Sequence, residues 1–249
     1  MAFITGGASG IGRATAVEFA RAGARVAVAD VDEQGGLETV GLIESDGGEA
    51  VFVELDVTSA EAADAAVQQT VEQLGGLDFA CNCAGIQGPL AATVEYGEQD
   101  WRSVIDVNLT GVWLCMKYEL RHMLAGNGGA IVNIASNFGL VGSESMPAYC
   151  ASKHGVIGLT KAAALDCGPK GVRVNALCVG ATETPMVTKV VDADPVRGPE
   201  LIAQIVDALP LGRIGQPEEA AAAAVWLCSD GARFVTGAAL SADGGYVAR

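Results

Sequence analysis

Seven short runs rich in apolar and β-branched residues punctuate this sequence, separated by alanine-rich stretches with helical spacing. The runs are Phe3–Thr5, Arg25–Ala29, Val51–Leu55, Phe79–Asn82, Ala130–Ile134, Arg173–Cys178 and Ala239–Ser241. In the first intervening stretch Ile11, Thr15, Phe19 and Ala22 stand at i, i+4, i+8 and i+11, one face of a helix. Such alternation is what βαβ units produce, so the sequence predicts an α/β fold: a doubly wound parallel sheet of about seven strands with helices on both faces. No Pro- or Ser-rich linker divides the chain, and a single domain over 1–249 is expected. Within it, 184–216 gathers Pro185, Pro195, Pro199 and Pro210 and reads as a lid over a substrate site.

Composition narrows the partners. Half of the 249 residues are apolar and 18% are charged, which excludes intrinsic disorder. The apolar run Ala220–Cys228 is far too short to span a membrane. The chain opens directly on Ala2-Phe3-Ile4-Thr5 and a glycine cluster, so no secretory leader is expected. A net charge of −15 repels phosphate backbones and anionic lipid, arguing against nucleic acid and membrane surfaces as partners. Seven cysteines without a C-x-x-C spacing read as small buried hydrophobes in a reducing cytoplasm rather than a disulfide framework. With His122 and His154 as the only histidines, no metal site is expected.

The segment Thr5-Gly6-Gly7-Ala8-Ser9-Gly10-Ile11-Gly12 follows the first expected strand and opens the first helix. Glycines there permit a tight turn and let the backbone approach a pyrophosphate, which sits on the helix N-terminus. A plain glycine-rich turn would look similar, and the spacing is G-x-x-x-G-x-G. Asp30 tips the balance. It closes the second expected strand, where a carboxylate can hydrogen-bond the ribose 2′-OH of NAD and repel the 2′-phosphate of NADP. Val31 and Asp32 follow it and Ser9 fills the loop, so no arginine stands there to neutralise such a phosphate. Asp56-Val57 at the third strand's end can meet the adenine amino group, or simply start a helix. Asn82-Cys83-Ala84-Gly85 supplies small residues where backbone can run against a cofactor.

Tyr149 and Lys153 are four apart on an expected helix with Pro147 in its first turn. That spacing puts both on one face, Cβ atoms about 5–6 Å apart. A nearby ammonium would lower a phenol by roughly two pK units, making the tyrosine usable as an acid/base around pH 8. Alone, the pair is an ordinary surface contact. Ser136 changes that, because it follows the strand Ala130–Ile134 and so stands in the crevice where parallel sheets bind ligands.

Taken in order, Thr5–Gly12, Asn82–Gly85, Asn108, Ser136, Tyr149-Cys150-Ala151-Ser152-Lys153 and Thr184-Pro185-Met186 resemble the short-chain dehydrogenase/reductase family, along essentially the whole chain. The resemblance implies a Rossmann-like fold and an NAD-dependent oxidoreductase that moves a hydride between nicotinamide and a secondary alcohol or ketone. It makes Tyr149 the acid/base and has Lys153 hold the nicotinamide ribose. Ser136 would orient the substrate oxygen, while Asn108 would kink its helix and anchor a proton-relaying water. Gly180, Thr182 and Thr184 fall in the segment that would bind the carboxamide. It also implies a homotetramer. Gln87, Phe138, Met146, Met186, Val187 and Val190 are expected to line a mostly apolar substrate pocket. Two departures stand out: Cys83 replaces the family's usual asparagine, and Val179 replaces its usual proline. Competing readings are a 3-oxoacyl thioester reductase, disfavoured by Asp30 and Ser9, and a non-catalytic NAD-binding module, disfavoured by intact Ser136, Tyr149 and Lys153.

Overall fold

A computed structural model describes residues 1–192 and 198–248; Pro195 and the Val190 side chain lie outside the described residues. The strands are β1 Ala2–Thr5, β2 Val26–Asp30, β3 Ala50–Glu54, β4 Phe79–Asn82, β5 Gly129–Ile134, β6 Val172–Val179 and β7 Ala239–Ala242. They form one sheet in the order β3-β2-β1-β4-β5-β6-β7, every neighbouring pair parallel. All seven expected runs are strands, with ends displaced by at most a residue. The helices are α1 Gly10–Arg21, α2 Glu33–Ser45, α3 Ala60–Leu74, α4 Glu98–Ile105, α5 Gly111–Ala125, α6 Pro147–Cys167, α7 Pro185–Asp192, α8 Gly198–Asp207 and α9 Pro217–Cys228.

Side chains alternate across each strand, so β1 sends Phe3 into one apolar layer and Ile4 into the other. The Phe3 layer includes Leu74 of α3, Met116 of α5 and Ala163 of α6. The Ile4 layer includes Phe19 of α1 and Leu227 of α9. Each large side chain buried there contributes roughly 1.5–3 kcal/mol. The apolar run ending at Cys228 is thus most of α9, and among the described residues no helix is long and apolar enough to cross a membrane. The order reverses between β1 and β4, which opens a crevice at the carboxyl ends of the strands.

One local expectation needs correction. Ala22 does not share the buried face of α1, because the helix stops at Arg21 and Ala22 caps it in solvent; the buried residues are Gly12, Thr15, Ala16 and Phe19. The helical backbone around Asn108 is unbroken from α4 to α5, with a π-helical turn over Asp106–Thr110 between them that inserts a wide turn at the asparagine.

Candidate active site

The glycine loop is held by close backbone packing. Gly6 and Gly10 are left-handed, with φ of 66° and 51°, where side chains are strained. A Cβ on Gly6 would come within 2.8 Å of the Ala84 nitrogen, and one on Gly12 would overlap the Gly6 carbonyl oxygen. α1 therefore sits hard against the loop, and the loop against the residues after β4. Ser9, the residue before the helix, makes no side-chain cap, and no acidic residue stands in the first turn. The N–H groups of that turn remain available to an anion, so the cradle fits a dinucleotide pyrophosphate.

Asp30 lies at the rim of this cradle. Its Oδ2 accepts from Ala8 N at 3.0 Å and its Oδ1 from Asp32 N at 3.1 Å, which fixes the carboxylate beside the loop. Thr39 and Arg13, not singled out in the sequence, brace the same loop. Thr39 donates to the Gly7 carbonyl at 2.9 Å. Arg13 donates to the carbonyls of Ala8 and Gly35 and pairs with Glu38 at 3.1 Å. Asp56 accepts from both the backbone and hydroxyl of Thr58, while Ser59 caps α3. Val57 is buried against Gly111, where a Cβ would come within 2.7 Å of the Val57 Cγ2 methyl.

Beyond β4, Thr5 Oγ1 accepts from Cys83 N at 3.1 Å and Ala84 N at 3.2 Å. The Cys83 backbone is thus anchored, and its Sγ lies 3.4 Å from that of Cys81. Asn82 points the other way, into the layer below, where it meets Glu119 and Asn133. Val179, the second departure, is buried and pairs with Ala242. Gly180 N then donates to Ala242 O, and Thr182 bridges to Gly215, so this segment is tied on two sides. Thr184 lies against Gly10, closing the cradle from the lid side.

The structure brings the four expected catalytic residues to one place. Lys153 is 3% exposed and donates from Nζ to Ile134 O at 2.8 Å, with Nζ 5.6 Å from the Tyr149 ring centroid. A Cβ on Gly85 would lie 3.3 Å from Asn108 Oδ1 and 3.7 Å from Lys153 Nζ, so these three groups converge. Asn108 is fully buried: Oδ1 accepts from Ile86 N and Nδ2 donates to Ile86 O, both at 2.8 Å. The π turn is what lets an asparagine clasp a distant backbone in this way. Ser136, buried after β5, accepts from Phe138 N and lies within reach of Tyr149.

Burial dominates the ionisation of the pair. It pushes the Tyr149 phenol up, and a hydrogen bond with Ser136 pulls it partly back. It draws the Lys153 ammonium down to about 8, against upward pulls from Cys83 and Cys178. The lowering of Tyr149 expected from Lys153 is therefore not found in this arrangement: burial and then Cys150 raise the phenol, and Ser136 is the group that opposes them.

On the substrate side, Phe138 meets Tyr246 edge to face at 5.9 Å, an aromatic wall whose second half comes from the C-terminal segment. Met146 and Val187 are half-buried, Met186 is more open, and Gln87 is half-buried beside Ile86. Ala91 N donates to Ser145 O, joining the two loops that flank this side. A separate cavity of about 500 Å³ lies at the ends of β6 and β7, lined by residues including Thr182, Arg213 and Asp243. It borders none of the four catalytic candidates.

Comparison with known proteins identifies the family. Residues 6–247 match the family model described as Enoyl-(Acyl carrier protein) reductase. A 2,5-dichloro-2,5-cyclohexadiene-1,4-diol dehydrogenase of Sphingobium indicum is 44% identical over 98% of this chain and 96% of its own. A cyclohexanol dehydrogenase of Acinetobacter sp. (strain SE19) is 41% identical over 100% and 95%. A crystal structure of a candidate 2-deoxy-d-gluconate 3-dehydrogenase from Agrobacterium tumefaciens, with bound NADP, is 38% identical over 100% and 96% at a TM-score of 0.89. With a Rossmann-like sheet matched along its whole length, this chain is an oxidoreductase of the short-chain dehydrogenase/reductase family.

Proposed function

We propose that this chain is an NAD-dependent dehydrogenase of apolar secondary alcohols, with ring alcohols of the cyclohexanol type as the leading class, and that it also reduces the matching ketones. The observation that carries the reading is the convergence of Ser136, Tyr149 and buried Lys153. Bound nicotinamide supplies the hydride acceptor for oxidation and the donor for reduction. In oxidation Tyr149 takes the proton of the alcohol; in reduction it returns one to the carbonyl oxygen. Ser136 orients that oxygen. Lys153 holds the cofactor ribose and supports the phenolate, and Asn108 keeps the Gly85–Ile86 turn in register with Lys153. The Gly6–Gly12 cradle holds the pyrophosphate, with Asn82, Ala84 and Gly85 along the cofactor and Asp56 and Val57 at the adenine. Gly180, Thr182 and Thr184 take the carboxamide end.

The preference for NAD rests on Asp30, fixed at the loop by Ala8 N. Arg13, a cation bonded to the same loop, is occupied by two carbonyls and Glu38. Residues 184–216 serve as the substrate lid within a single domain, and the working form is a cytoplasmic homotetramer. Gln87, Phe138, Met146 and Met186 contact the substrate body.

The test follows reduced-nicotinamide absorbance with NAD⁺ and NADP⁺ in turn, against cyclohexanol, cyclic diols, hydroxysteroids, polyols and 3-hydroxyacyl thioesters. NAD⁺ reduction with ring alcohols is expected. A preference for NADP⁺ with the thioesters would overturn both the Asp30 argument and the substrate class.

A further inference from the structure

Glu119 of α5 is a fully buried carboxyl group that the catalytic scheme does not use. Its Oε2 accepts from Asn82 Nδ2 at 3.2 Å, and the same amide donates to Asn133 Oδ1 at 3.0 Å. Asn133 continues to Thr160 Oγ1 at 3.0 Å. This chain of side chains joins β4, α5, β5 and α6. Those elements carry the cofactor-facing Cys83–Gly85 turn, the Ile134 carbonyl that holds Lys153, and Lys153 itself. Among the described residues no cation pairs with Glu119, and its Oε1 is buried without a hydrogen-bond partner, as is Asn82 Oδ1. A carboxylate in such a setting would bear the desolvation of a full charge with one amide donor to offset it. A carboxylic acid bears far less, and protonation turns one of two orphaned acceptors into a donor.

We propose that Glu119 is a positioning residue: a buried, neutral carboxylic acid that holds Asn82, and through it the cofactor-facing end of β4, in place. Burial raises this group to about 8, with the Asn82 hydrogen bond pulling against it. The groups whose ionisation it raises are thiols, and His122, three residues on in α5, makes no ion pair with it among the described residues. Cys81 of β4 is raised by its bond to Cys83 and by burial, with Glu119 adding, and Cys115 one turn back is raised by burial and then by Glu119. α6 faces it with uncharged Thr160 and carries Lys153 nearly two turns earlier, while α3 offers Ala63, Ala66, Val67 and Thr70 to the same layer. No charged partner from any of these elements would hold a carboxylate there.

The sign of the consequence is fixed. The folded chain keeps a proton that the unfolded chain releases in the ordinary carboxylate range, so this group's stability is complete below that range and is lost as pH rises through about 8. Glu119→Gln keeps the shape and stays neutral. Its thermal midpoint minus that of the wild type should grow steadily from about pH 5 to about pH 8 and then level off. NADH affinity, read by fluorescence, should fall several-fold further above about pH 8 in the wild type than in the glutamine variant. Lys153 titrates in the same range in both proteins and cancels in the difference. Infrared spectra of the wild-type protein need no variant: a protonated-carboxyl band should persist above the ordinary carboxylate range and vanish through about pH 8. A midpoint difference that stays flat with pH, or the lack of that band, would overturn the proposal. Any effect on turnover rests on the dehydrogenase reading, whereas midpoint and band do not, so the two can fail separately.

Discussion

The two halves of the crevice are made of different materials. On the β1–β3 side the cradle is backbone and glycine, and the buried polar side chains there are threonines such as Thr15 and Thr39. On the β4–β6 side the buried polar set includes Asn82, Asn108, Glu119, Asn133, Ser136 and Lys153. A pyrophosphate is recognised by N–H groups that every residue possesses, so that side needs shape and close approach. Proton transfer needs specific groups with displaced ionisation, and desolvating them demands partners from several elements. One half recognises by geometry, the other by buried chemistry.

The largest effect should come from the chemical half. Tyr149→Phe removes one oxygen and leaves the ring against Lys153, so NADH should still bind while turnover falls about a thousandfold. Stopped turnover with preserved fluorescence of bound NADH is the expected pair of readings. Retained turnover would mean that the buried polar half does not carry the proton, and the contrast between halves would collapse.

The geometric half is tested next by Gly12→Ala. The new methyl would overlap the Gly6 carbonyl oxygen, which the neighbouring backbone cannot yield without opening the loop. A loss of about 2 kcal/mol in chemical denaturation is expected, with NADH binding lost alongside it. If both survive, the tight fit of α1 on the loop is not what shapes the cradle.

This division also explains what the sequence made legible. Strands, glycine loop and the Tyr149–Lys153 pair are local patterns, and period and spacing suffice to find them. The role of Asn108 comes only from the resemblance, because nothing local announces the π turn or the Ile86 backbone it clasps. Glu119 sits between Lys117 and Arg121 and reads as one more charge on a helix surface; its burial is decided by α6 and the sheet. Asp56 and Ser59 both suit a helix start, and only the geometry assigns the cap to Ser59. Tyr246 was invisible for another reason. Its contact with Phe138 joins positions more than a hundred residues apart.

Asp30 brings a negative charge into the geometric half, so it sharpens the comparison. Asp30→Asn keeps an oxygen for Ala8 N and removes only the negative charge facing the cofactor's ribose. The ratio of kcat/KM for NAD⁺ over NADP⁺ should fall about tenfold, the size of a single charged hydrogen bond. An unchanged ratio would shift cofactor choice away from Asp30, with Arg13 the next residue to change.

The smallest expected effect lies where neither backbone nor titration is involved. Phe138 and Tyr246 meet edge to face at 5.9 Å, an arrangement worth about 0.5–1.5 kcal/mol beyond the area it buries. Phe138→Ala should therefore raise KM for cyclohexanol about three- to tenfold and leave kcat nearly unchanged, because no proton or hydride passes through either ring. Bulkier ring alcohols should lose less than cyclohexanol, since the shortened side chain makes room for them. If kcat falls with KM constant, the wall acts on the transition state, by holding the loop that carries Ser136. The aromatic pair would then belong with the buried chemistry of the β4–β6 side rather than with substrate fit.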